Sequence, residues 1–214
     1  MPPSLRPPLR VVRSAGPPHA QAQDHELADA LVAGEAWAAA ATWNKHAPMV
    51  FRFLHRALGP TADVEDLTQE AFVGVFSGVR ALRNREALRS FIFSVAVRTL
   101  RGELRRRRGR KIFQLSTMAQ MPDVAVPALD AESRQALRRF YAILDLLSAD
   151  DRSAFALRHL EGMQLEEVAE ALDISLATAK RRLRRAAELV SRYAQRDPAL
   201  APYATTTVGG GNEA

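Results

Sequence analysis

Between positions 180 and 185 the chain places Lys180, Arg181, Arg182, Arg184 and Arg185 almost without interruption. Side chains of this kind neutralise phosphates, and arginine adds paired hydrogen bonds to base edges. A second basic run, residues 98–111, holds Arg98, Arg101, Arg105, Arg106, Arg107 and Arg108. One such run is as readily a solvated face as a binding surface, but two runs in separate parts of the chain point to a polyanion. Chemistry of other kinds finds little support. The chain has no cysteine, so it forms neither a disulfide nor a thiolate metal site. No histidine stands at ligand spacing beside the acidic run Glu65, Asp66 and Glu70, and neither a glycine-rich phosphate loop nor a nucleophile with a nearby base is evident. An enzyme, a metal site and a cofactor are therefore not expected.

The elements that must carry these side chains read as helices throughout. The chain has 214 residues, 47% of them hydrophobic and only 7% aromatic, and its net charge is +6. That composition, rich in Ala, Leu, Arg and Glu, predicts an all-α fold of two small helical domains joined by a flexible linker, the second a helix-turn-helix domain. Residues 1–23 contain six prolines and no acidic residue before Asp24, which predicts a disordered basic leader. It has no apolar core of the secretory kind, and no apolar run approaches a bilayer span, so a cytoplasmic chain without membrane contact is expected.

The first domain is expected over residues 24–108. Leu27, Leu31, Trp37 and Ala41 predict one helix ending before Pro48, which would begin a second through Val50, Phe53, Leu54 and Leu58. A third starts near Asp63 with a stripe of Leu67, Ala71, Phe72, Val75, Phe76 and Val79. The fourth, residues 86–108, carries two apolar stripes and should be packed on two sides. Residues 109–130, interrupted by Pro122 and Pro127, form the expected linker. The second domain, 131–195, reads as four helices near 131–147, 149–160, 165–172 and 176–193, followed by a flexible tail, 196–214.

Residues 165–183 combine several requirements of a helix-turn-helix. Ala169 is small where two helices cross, Asp173 suits a left-handed turn, and Ser175 is a natural N-cap for the second helix. On that helix Leu176, Ala179, Leu183, Ala186 and Val190 share one side, whereas Ala177, Arg181, Arg184, Arg185 and Glu188 share the other. An apolar rear and a basic front suit a helix lying in the major groove. The preceding helix is acidic, with Glu166, Glu167 and Glu170. A hairpin serving only protein contacts is the plainer alternative.

With those residues placed, the chain resembles the bacterial sigma factors of the sigma-70 family. Leu157 and Arg158 before Glu161 and Gly162, then residues 166–169, Ile174, Ser175 and 178–183, follow the order of the family's fourth region. Residues 63–76 look like the region that grips RNA polymerase. The short connection between the two is that of the extracytoplasmic-function group.

The resemblance implies two promoter-reading heads. Ser175, Ala177, Thr178, Lys180, Arg181, Arg182, Arg184 and Arg185 would read the minus-thirty-five element. Asn84, Arg85, Arg98, Arg101, Arg105 and Arg106 would serve the minus-ten element, and Glu65, Asp66, Gln69, Glu70 and Phe72 would bind polymerase. Phe91 and Phe93 are either stacking surfaces for bases or core. The partners implied are core RNA polymerase, promoter DNA and an anti-sigma factor. Arg98 and Gly102 stand where relatives commonly carry Asn and Asp, so a stand-alone regulator without promoter melting is the alternative.

Overall fold

A computed structural model describes residues 22–60, 62–113 and 130–204. The expected leader up to residue 21, the middle of the expected linker and the end of the tail lie outside the described residues. Those described are helical, with α1 at Asp24–Ala33, α2 at Ala36–Leu58, α3 at Val64–Gly78 and α4 at Leu88–Phe113. Then come α5 at Ala131–Leu144, α6 at Ala149–Phe155, α7 at Leu165–Leu172, α8 at Leu176–Arg196 and α9 at Ala201–Ala204. No described helix is long and apolar enough to cross a membrane.

Two expectations for the first helices are corrected. The helix expected to run unbroken to Pro48 stops at Gly34, whose left-handed φ of 78° lets its N–H close back on Leu31 at 3.2 Å. The second then starts at Ala36 rather than at Pro48 and runs straight through that proline. Pro48 removes one backbone donor, but it sits on the exposed side, where water reaches the carbonyl it leaves free. The opposite side carries Val50, Phe53, Leu54 and Ala57, all fully buried, so packing holds the helix together across the break.

On α3, Leu67, Ala71, Phe72, Val75 and the following Val79 are buried, the stripe predicted from spacing. Gly74 lets α4 approach closely, since a Cβ there would lie 2.9 Å from a methyl of Val95. Leu88, Ile92, Phe93, Val97 and Leu100 bury α4 on both sides. This helix continues to Phe113, beyond residue 108 and into the stretch expected to be linker. Arginine-rich sequence is compatible with helix when the carboxylate of Glu103 accepts Arg106, Arg107 and Arg110, each within 3.0 Å. Burial would raise the Glu103 carboxyl, yet these three hydrogen bonds hold it below the usual range.

The helix expected over 149–160 loosens after Phe155 into a π-helical turn, Ala156–Leu160. The residues expected as tail include the short α9, anchored by Leu200, which is buried against the second core.

One apolar cluster contains Phe53, Phe72 and Phe93 together with Leu157, Met163, Val168 and Leu172, so the two halves share a core. A separate cluster of Tyr141, Leu144, Phe155, Ala186 and Val190 ties α5, α6 and α8 together.

Two predictions arise here. A Cβ on Gly102 would meet nothing within 4 Å, and the residue is mid-helix, so Gly102→Ala should stabilise the chain by about 1 kcal/mol, read as a higher Tm. The second concerns His46, 4% exposed and 3.1 Å from Asp24 Oδ1. Burial pulls its pKa below 6.5, and the attraction of Asp24 only partly opposes this. The folded state therefore binds fewer protons than the unfolded chain around and below pH 6.5. Its stability contribution is present above that value and lost as pH falls through the folded pKa. A Tm that falls from pH 7.5 to pH 5.5, with His46→Gln flattening the slope, is the expected result of thermal melts.

Candidate nucleic-acid interface

The helix-turn-helix is built as its sequence implies. Gln164 opens α7 with its N–H on the Glu167 carboxylate at 2.8 Å. Asp173 ends the helix at φ 53°, the one positive φ among described non-glycine residues. Ser175 caps α8 by accepting the Thr178 N–H at 3.3 Å, and its hydroxyl donates to the Thr178 hydroxyl at 3.0 Å. Behind α8, Ala179, Leu183, Ala186 and Val190 are buried. Leu176, expected on the same side, is 38% exposed because it lies at the helix start, beyond the reach of the packed core.

The five cations of α8 do not form one free face. Lys180 and Arg181 are exposed and have no ion-pair partner among the described residues. Arg184 is held by Glu188 at 2.8 Å, and Arg185 reaches back to the Asp151 carboxylate with bonds of 2.6 and 2.9 Å. Arg182 turns back onto α6, where it pairs with Asp150 at 3.0 Å. Ala177 is exposed beside Lys180 and Arg181.

The residues expected to serve the minus-ten element are spread along α4 and the loop before it. Asn84 accepts the Glu86 N–H at 3.1 Å and shapes the turn Arg85–Ala87. Arg85 is spent on Asp29, 2.9 Å away, and on the Leu82 carbonyl. Arg98 and Arg105 are exposed, whereas Arg101 is pulled toward Asp150, its Nε 2.8 Å from Oδ1 but out of line for a hydrogen bond. Burial lowers the Arg101 pKa from its usual value, with Asp150 opposing. Arg106 bridges Glu103 and Glu70. Of the two phenylalanines, Phe93 is core at 1% exposed, and Phe91 lines the cleft between the halves.

The expected polymerase face divides as well. Glu65, Asp66, Gln69 and Glu70 are exposed along α3, with Asp66 donating its backbone N–H to the Asp63 cap and Glu70 accepting from Arg106. Phe72 is a correction: at 1% exposed, with its ring edge-on to Trp43 at 4.8 Å, it cannot touch a partner, because it belongs to the stripe that packs α3 on α2. What the sequence reading missed is the apolar surface beside those acidic groups. Trp43, Ala47, Pro48 and Phe51 of α2 line a groove of about 360 Å³ with Glu65 and Gln69 on its rim. Its only sequence signal was aromatic residues at a helix spacing that also suits a core. Among the described residues no group of three His, Asp or Glu side chains could hold a metal ion.

Comparison with known proteins agrees with this architecture. The family description "Sigma-70 region 2" matches residues 42–110, and "Sigma-70, region 4" matches 137–189. The chain belongs to the sigma-70 family, in its extracytoplasmic-function group. It is 26% identical over 162 residues to the ECF RNA polymerase sigma-E factor of Haemophilus influenzae, covering 71% of this chain and 82% of that one. To the sigma factor SigE of Mycolicibacterium smegmatis it is 30% identical over 168 residues, 73% of this chain and 63% of the other. Among solved structures it resembles CnrH in complex with the cytosolic domain of CnrY. The TM-score is 0.58 at 20% identity, over 81% of this chain and 98% of that one. The sigma factor RpoE of Bartonella quintana, solved with the anti-sigma factor NepR, gives 0.52 at 21% identity, over 72% and 95%.

Proposed function

We propose that this sigma factor, which binds core RNA polymerase and directs promoter-specific transcription initiation, divides that work between two heads. Residues 24–113 form the head for polymerase and the minus-ten element, and 131–204 the head for the minus-thirty-five element. The observation that carries the reading is the presence of both sigma regions in one chain, each with a charged, exposed surface of the sign its partner requires. Glu65, Asp66, Gln69 and the Trp43–Phe51 groove meet polymerase, with Phe72 positioning α3 from below. Lys180 and Arg181, at the exposed start of α8, are the strongest contacts to the minus-thirty-five element, with Ala177 and the Ser175–Thr178 cap beside them. Arg98, Arg105 and, once released, Arg101 face the minus-ten strand. Arg85 and Asn84 shape the loop before α4 rather than meeting bases, since both are already occupied.

The chain acts in the cytoplasm as a non-enzymatic subunit, as polymerase and promoter DNA require. A stand-alone regulator has less support, because it needs no region that grips polymerase. Run-off transcription with core polymerase and fragments of the organism's own genome tests the reading. A discrete product starting at a fixed site is expected, and the absence of a promoter-dependent product with every fragment overturns it.

A further inference from the structure

Residues 79–87 join α3 to α4 and lead into the surface proposed for the minus-ten strand. Two single 3-10 turns, Val79–Ala81 and Arg85–Ala87, flank a tip formed by residues 82–84. The first turn closes with the Leu82 N–H on the Val79 carbonyl at 3.0 Å, the second with the Ala87 N–H on the Asn84 carbonyl at 3.2 Å. Turns this short do not fix their own relative orientation. Contacts from outside the segment must do so, and α1 supplies them.

This helix is itself anchored. Its Leu27, Ala28 and Ala30 are buried, and Asp24 in its first turn lies 2.8 Å from Lys45 Nζ and 3.1 Å from His46 Nε2 on α2. Farther along α1, Asp29 accepts the Arg85 Nε–H at 2.9 Å, and the same guanidinium donates to the Leu82 carbonyl in the tip. His25 Nδ1 lies 3.7 Å from the Glu86 carboxylate. One arginine thus ties the tip to a helix held in place elsewhere. Within the tip, Leu82 is half-buried against the core and Asn84 is engaged in capping the second turn. Arg83 is exposed and has no ion-pair or hydrogen-bond partner among the described residues. A free guanidinium offers a planar fork of donors to a phosphate or to the edge of an unpaired base, and a flat surface on which a base stacks.

We infer that Asp29 is a positioning residue for promoter opening: through Arg85 it holds the 79–87 loop so that Arg83 meets the displaced minus-ten strand. The inference rests on the minus-ten role proposed for the first head. The Asp29 side chain is 66% exposed and that of Arg85 31%, so the pair contributes little to the stability of the fold. Its effect is on which loop conformation is populated. A pair of that strength shifts such a population a few-fold rather than by orders of magnitude.

The test uses the full chain assembled on core polymerase and a fluorescently labelled single strand carrying the minus-ten region of a promoter mapped by run-off transcription. Arg83→Ala should weaken strand binding by about tenfold. Asp29→Ala should weaken it by about threefold with an unchanged Tm, and Asp29→Glu should retain most of the parent affinity. In the Arg83→Ala background Asp29→Ala should add nothing, because the group it places is gone. A merely structural role would cost the same in both backgrounds. An equal loss in both, or no loss in the parent, overturns the positioning role. Unchanged strand binding in Arg83→Ala, while Arg98→Ala weakens it, overturns the loop contact and leaves the minus-ten assignment of the head standing. If neither arginine matters, that assignment falls and the inference falls with it.

Discussion

Replacing Lys180 and Arg181 together by alanine is expected to lower affinity for promoter DNA by about 10- to 100-fold at near-physiological salt while leaving helicity and Tm unchanged. These two side chains project from the first turns of α8 and are exposed, with no intramolecular partner among the described residues, so removing them leaves no buried charge behind. Their neighbours differ. Arg184 and Arg185 are held by Glu188 and Asp151, and Arg182 by Asp150, so part of what each gains on DNA is offset by the bond it gives up. Arg184→Ala with Arg185→Ala should therefore weaken binding less than the Lys180 and Arg181 pair. Salt titration separates charge from specificity. Loss of two phosphate contacts reduces the slope of log affinity against log salt by about 2, whereas loss of a base contact weakens the cognate site and spares a scrambled one. Unchanged affinity and slope in the double variant, with the fold intact by circular dichroism, would remove α8 from the DNA interface.

That ordering of the arginines was not legible in the sequence, and the reason is one of range. What was legible is local. Asp173 and Ser175 each act within a few residues, through a left-handed turn and a cap bond, and both stand where spacing placed them. The buried stripes of α3 and α8 follow the helical period, which is also local. The partners of Arg101, Arg182 and Arg185 are carboxylates 32 to 49 positions away, and no local pattern announces them. The shared core has the same origin. Leu157 and Met163 lie more than 90 positions from Phe53 and more than 50 from Phe93, and only packing across that separation reveals one cluster. The break at Gly34 escaped notice because apolar residues resume beyond it at helical spacing, and Pro48 misled because local propensity yields to packing when the opposite face is buried.

Phe72 shows how the same limit affects the site, and its replacement is the other large effect expected. A phenylalanine among Glu65, Asp66, Gln69 and Glu70 reads naturally as part of one binding surface, yet it points the opposite way from them. Its ring packs edge-on to Trp43 at 4.8 Å and tilted against Phe76 at 5.7 Å, with 1% of the residue exposed. Phe72→Ala should destabilise the chain by about 3–5 kcal/mol, because the lost transfer free energy is joined by the cavity left among neighbours that relax only partly. For a chain of this size that lowers the Tm by about 6–20 °C. Its loss of polymerase binding should track unfolding and recover on cooling. Gln69→Ala, on the exposed rim of the Trp43–Phe51 groove, should do the reverse: Tm stays within about 1 °C, since exposed substitutions away from caps and core change stability little, while co-purification with core polymerase falls. A Phe72→Ala chain that melts like its parent yet fails to bind polymerase would show that the ring reaches the partner after all. A Gln69→Ala chain that melts early would place the acidic edge of α3 in the fold rather than at the interface.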